Sequence, residues 1–136
     1  MELTLNHTFA TPGAQWLHVQ ADTLNAIPEN VETNNVLAEP LLVMQEAKDE
    51  CGAISTDTTW AAGTLHEVTC DVTVNLGATV VVEAGAAVMF RSGTGLSVDG
   101  TLLGEGTAAK PIPFLADSDD PAPGDWYGIR VRDGGS

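Results

Sequence analysis

The apolar positions between Val72 and Phe114 form one pattern written twice. Val72-Thr73-Val74, Gly77 to Glu83 and Ala87-Val88-Met89-Phe90 return as Leu96-Ser97-Val98, Gly100 to Glu105 and Pro111 to Phe114. The offset is 24 residues at the first strand (72 to 96), 22 at the second (80 to 102) and 24 at the third (90 to 114), so the turns absorb the difference. Three short strands separated by glycine turns, repeated at this period, predict one coil of a β-solenoid stacked on the next.

Within each strand successive side chains point to opposite faces. Val72, Val74, Val80, Val82, Val88 and Phe90 therefore share a dry side, and Thr73, Thr79 and Glu83 the wet one. A coil that closes on itself needs an apolar interior only, whereas an open parallel sheet is apolar on both faces. With coils about 4.8 Å apart, the expected stacks are Leu96 on Val72, Val98 on Val74, Leu102 on Val80, Ile112 on Val88 and Phe114 on Phe90. Val81 and Leu103 break the alternation at matching positions, which predicts a partly covered outer face or a partner there. Trp126 to Val131 starts a third coil, with Ile129 and Val131 each 33 residues after Leu96 and Val98, and the extra length forms the loop from Ala116 to Asp125. The pattern predicts about two and a half coils, cut in the middle of a coil of a longer protein, because a bare parallel edge is normally capped or covered.

Upstream the texture changes. Glu2 to His7 and Trp16 to Ala21 alternate as half-buried strands around the turn residues Thr11-Pro12-Gly13, predicting a hairpin. Val36 to Met44 is an apolar run interrupted by Pro40, which cannot donate to a ladder and belongs on an edge or at a bulge. Three strands make a thin core for a β-sandwich, which takes about seven.

Two resemblances follow from these residues. The spacing of Asp22, Asn25, Ile27, Glu29, Glu32, Asn34 and Asn35 after the Leu17-Val19-Ala21 strand resembles the closing segment of the cell-adhesion-related bacterial domain, CARDB, with Pro28 as a departure. That resemblance covers residues 1 to about 44 and implies an immunoglobulin-like sandwich of secreted and surface proteins. Gly52 to Trp60, Val72-Thr73-Val74, Gly77 to Val80, Val98 to Leu102, Pro111 to Phe114 and Gly124 to Ile129 are together similar to the opening coils of bacterial surface-associated parallel β-helix proteins. This second resemblance implies export and a right-handed coil, but no single activity. The expected organisation is all-β: a partial CARDB-like sandwich segment over 1–46, a linker over 47–53 and an incomplete parallel β-helix over 54–136, with Trp60 packed over the open bottom of the stack as a cap.

Charge narrows the partners. Nineteen Asp and Glu against five Lys and Arg leave a net charge of −14. Nucleic acids and anionic membrane surfaces both require clustered cations, so neither is an expected partner. No apolar run approaches the roughly 20 residues of a spanning helix. Met1-Glu2-Leu3-Thr4 lacks the basic and apolar regions of a secretory signal, so the extracellular or cell-surface location rests on the resemblances.

Candidate chemistry is sparse. Cys51 and Cys70 flank the segment leading into the first coil; a disulfide there would contribute roughly 3 kcal/mol, and the other reading is two unrelated small residues. Zinc lacks ligands, since His66 stands four positions before Cys70 on a strand, about 13 Å away. Glu83 and Glu105 occupy equivalent positions of successive coils, about 5 Å apart, a separation that retaining glycosidases use, although glutamates beside glycine turns are ordinarily just solvated. Asp117, Asp119, Asp120 and Asp125 crowd one loop and are the calcium candidates, calcium taking six to eight oxygen ligands, without the spacing of a regular calcium loop; Asp22, Glu29 and Glu32 are a lesser set. No nucleophile elbow is present, and Gly93-Thr94-Gly95 and Gly104-Glu105-Gly106 lack the following helix and lysine of a phosphate loop. No catalytic residue and no cofactor is assigned. The expected role is a structural or adhesive segment of an exported bacterial surface protein, without chemistry of its own and meeting a cell-surface protein or polysaccharide. The alternative is the opening coils of a polysaccharide lyase or glycoside hydrolase, with Trp126 and Tyr127 as the available sugar platforms and Arg91, Arg130 and Arg132 scattered.

Overall fold

Parallel ladders built from valine-rich triplets define the architecture. A computed structural model describes Thr8 and residues 13–20, 36–132 and 134–136. The chain divides into two units after Val43. In the first, β1 (Gly13–Gln20) pairs antiparallel with β2 (Val36–Val43), and Trp16 stands opposite Pro40. Each strand of such a pair is an edge, where proline is tolerated. A two-stranded pair cannot enclose a sandwich core, so the expected immunoglobulin-like segment has no support among the described residues. The predicted strand Glu2 to His7 and the acidic turn carrying Asp22, Glu29 and Glu32 lie outside them.

The second unit is a right-handed parallel β-helix. Its strands are β3 (Glu46–Ile54), β4 (Thr58–Trp60), β5 (Thr64–Val74), β6 (Thr79–Val82), β7 (Ala87–Phe90), β8 (Leu96–Val98), β9 (Thr101–Gly104), β10 (Phe114–Ala116) and β11 (Ile129–Val131). They stack into three walls. The first holds the front of β3 and of β5, then β7 and β10; the second holds the back of β3 and of β5, then β8 and β11; the third holds β4, β6 and β9. The stack thus has three full coils and part of a fourth, where the sequence predicted about two and a half. The added coil is β3–β4, so residues 47–53 are not a linker but lie inside β3, in parallel register with β5.

Leu96 stands on Val72, Val98 on Val74 and Leu102 on Val80, as the repeat predicts. The third pair of strands is shifted by two: Phe114 stands on Val88 and Ala116 on Phe90. The cause is Pro111 and Pro113, which have no N–H to give a ladder; the Pro113 carbonyl accepts the Val88 N–H (2.9 Å) and the strand begins only at Phe114. The interior is lined by Val68, Val72, Val74, Val80, Val82, Val88, Phe90, Leu96 and Val98, all buried, and each buried valine contributes about 2 kcal/mol. Trp60 belongs to this core. It is fully buried in β4 and stacks on His66 (ring centroids 5.2 Å apart) rather than lidding the bottom as a cap.

Polar side chains at the corners tie one coil to the next. Asn75 Nδ2 donates to Ser55 Oγ (2.8 Å), the Thr79 amide to Asp57 Oδ1 (2.9 Å) and the Gly95 amide to Asp71 Oδ1 (3.0 Å). At the corner between the first two walls the ladder slips between Glu50 and Gly52, and there Cys51 and Cys70 form a disulfide with Cα atoms 4.9 Å apart. Replacing both by serine is expected to cost about 3 kcal/mol through the freed unfolded chain. Denaturant unfolding of the variant and of the reduced native protein checks this, and both should lose the same amount.

Candidate functional site

The outward-facing positions of the second wall form a column, Thr73, Ser97 and Arg130, in register across β5, β8 and β11. The residues before β11 curve over this column. The Tyr127 amide donates to the Thr94 carbonyl (2.8 Å), the Leu96 amide donates to the Gly128 carbonyl (3.1 Å), and Gly128 has φ +85°, a left-handed turn that glycine accepts without strain. Close approach also requires Gly95, where an added Cβ would lie 3.1 Å from Tyr127 Cβ and 3.2 Å from the Gly128 oxygen. Tyr127 is left 55% exposed, with the Arg130 Cζ 5.7 Å from its ring centroid, within cation–π range. Asp71, Gly95, Ser97, Tyr127 and Arg130 line a shallow open cleft. It offers an aromatic ring, a guanidinium, a carboxylate and a hydroxyl in one place, the groups that hold sugars.

The structure separates the two aromatic candidates. Trp126 turns inward and stacks on Phe90, with centroids 4.0 Å apart and planes 14° apart, so its ring serves the core. Of the three arginines, Arg91 lies between Glu67 (3.9 Å) and Asp117 (4.0 Å), and Arg132 lies against Asp99 (3.5 Å); Arg130 is the one in the cleft.

Glu83 and Glu105 do follow the aligned residues Val82 and Gly104. Glu83, however, accepts the Ala62 amide at Oε2 (2.9 Å), which makes it a brace between coils. The calcium candidates also take local partners: Asp125 Oδ2 accepts the Ala122 amide (2.7 Å), Asp117 faces Arg91, and the Asp120 amide donates to Ser118 Oγ (3.2 Å), while Asp119 is exposed. Among the described residues no three Asp, Glu, His or Cys side chains converge on a point that a metal ion would occupy.

One polar group was not legible as such. Inside the first coils His66 Nδ1 donates to Glu50 Oε1 (2.8 Å), and Lys48 Nζ lies 3.4 Å from the same oxygen. Glu50 and His66 are 8% and 2% exposed, and the ring nitrogens His66 Nε2 and Trp60 Nε1 have no partner among the described residues. The signal was the alternation Thr64-His66-Val68, which turns His66 inward. Closed off from solvent, the pair has no reach to a substrate.

A family model described as a pectate-lyase-like β-helix domain matches residues 52–134. The chain belongs to that family. Comparison with curated proteins gave no significant match, and neither did comparison with solved structures. For a pectate-lyase-like β-helix the expectation of a purely structural or adhesive segment without chemistry is corrected: the match favours the enzymatic alternative. The CARDB resemblance, with the cell-adhesion role that it carried, finds no support; the family match falls on the β-helix. Among the described residues no helix is long and apolar enough to cross a membrane.

Proposed function

We propose that this pectate-lyase-like β-helix acts on polysaccharide chains, cleaving them by elimination or hydrolysis, and that the cleft at Tyr127 and Arg130 holds the glycan. The family match carries the reading; the cleft supports it by placing an exposed aromatic ring beside paired donors and acceptors on a rigid wall. Tyr127 gives the apolar face of a sugar a surface to pack on, Arg130 donates to sugar oxygens, and Ser97 and Asp71 take hydroxyl protons. These residues bind and orient; no pair among them has the arrangement that glycosidic cleavage by two carboxylates requires. The disulfide supports a location in an oxidising compartment outside the cytosol.

The test incubates the protein with pectin, alginate, chitin, xylan and β-glucan, with and without calcium. Elimination leaves unsaturated ends that absorb in the ultraviolet, and hydrolysis leaves reducing ends. Ends are expected from at least one polymer, and Tyr127→Ala should raise KM about tenfold, the loss of one aromatic stacking contact, with unchanged melting. Absence of both cleavage and binding across the panel would remove the reading.

A further inference from the structure

We propose that the glycan held in the cleft is uncharged, an inference that rests on reading the cleft as a glycan site. Within the cleft the charges balance. Arg130 supplies one cation and Asp71 one carboxylate, with the hydroxyl of Ser97 between the strands that carry them. Asp71 Oδ1 accepts the Gly95 amide (3.0 Å), which fixes the carboxylate at the cleft. A carboxylate acceptor opposite a guanidinium donor suits the hydroxyls of a neutral sugar, each of which both donates and accepts. A uronate would gain Arg130 and be repelled by Asp71; an amino sugar would gain Asp71 and be repelled by Arg130.

Beyond the cleft the field is negative. Residues 44–136 contain 14 Asp and Glu against five Lys and Arg, a surplus of nine negative charges. The other two arginines have carboxylate partners of their own, Arg91 facing Glu67 and Asp117, and Arg132 facing Asp99. The acidic loop ends beside the cleft, because the Asp125 carbonyl accepts the Gly93 amide (2.8 Å) only two residues before Tyr127. A polyuronate carries a negative charge on every sugar, so a stretch running out of the cleft meets this negative surplus, an interaction felt over about 8 Å at physiological salt. A neutral chain meets no such penalty, and its binding is insensitive to salt.

Electrophoresis of the protein through gels containing xylan, β-glucan, polygalacturonate with and without calcium, or chitosan tests this. A neutral polymer is expected to retard the protein about tenfold more strongly than either charged one, at low and at high salt alike, and Tyr127→Ala should weaken that retardation about tenfold while melting at the native temperature. Asp71→Asn is expected to raise polygalacturonate binding relative to neutral binding. Retardation by polygalacturonate or chitosan equal to or above that by the neutral polymers overturns the inference and leaves the cleft as a glycan site. Retardation by none of the polymers overturns both.

Discussion

Phe90→Ala is expected to destabilise the β-helix by about 4 kcal/mol, within the range for truncating a buried aromatic side chain. Phe90 is 1% exposed and stands between two other rings, Trp126 at 4.0 Å and Phe114 at 6.5 Å between centroids. Trp126 reaches it from the residues leading into β11, and Phe114 from β10, so the side chain fastens the fourth coil to the third. A cavity there strips contacts from both neighbours, and the packed walls of β5 and β7 limit collapse into it. Phe90→Leu, which keeps most of the volume, should cost about 1.5 kcal/mol. Urea unfolding followed by tryptophan fluorescence measures both, since Trp126 reports directly on the site. A loss below about 1 kcal/mol for the alanine variant would contradict the stacked core.

Gly100→Ala should cost about 3 kcal/mol although it adds a single methyl group. The added Cβ would fall against the carbonyl oxygens of Ala78 and Asn75, both backbone atoms, and near Val74 Cγ1 at 3.2 Å. Neither oxygen is free to move. Ala78 O accepts the Thr101 amide (2.9 Å), Asn75 O accepts the Ala78 amide (3.0 Å), and Gly100 itself donates to Val74 O (3.0 Å). Gly77 provides the control: its φ is +84° with nothing within 4 Å of an added Cβ, so Gly77→Ala costs only the left-handed conformation, about 1 kcal/mol. Denaturant midpoints of the two variants should differ accordingly, and equal losses would show that the coils are not in contact at Gly100.

The valine columns at 72, 74 and 80 and their partners were legible because alternation and glycine spacing agreed. The third column misled, since Phe90 and Phe114 look like an aligned pair and are indeed stacked, but diagonally, after the two prolines delay β10. The first coil was hidden by composition. Lys48, Glu50 and His66 occupy positions where the later coils carry apolar residues, so β3 reads as a polar segment and its place in the stack depends on pairing that no local pattern announces. The cleft was half legible. Tyr127 and Trp126 were recognised as aromatic candidates, yet which one faces outward depends on the bend at Gly128, and Asp71 joins them only because β5 and β8 are neighbours in space. The role of the chain was misjudged for a related reason, since a solenoid wall shows its class in the repeat but its chemistry only in scattered outward residues.

The bridge between Cys51 and Cys70 spans 19 positions and encloses both Trp60 and His66. When the molecule is stretched by its ends, tension reaching Cys51 passes through the sulfur atoms straight to Cys70 and bypasses everything between. That enclosed length, about 65 Å of extended chain, stays out of the force path, so a pulled molecule would come to full extension short by that amount and regain it only on reduction.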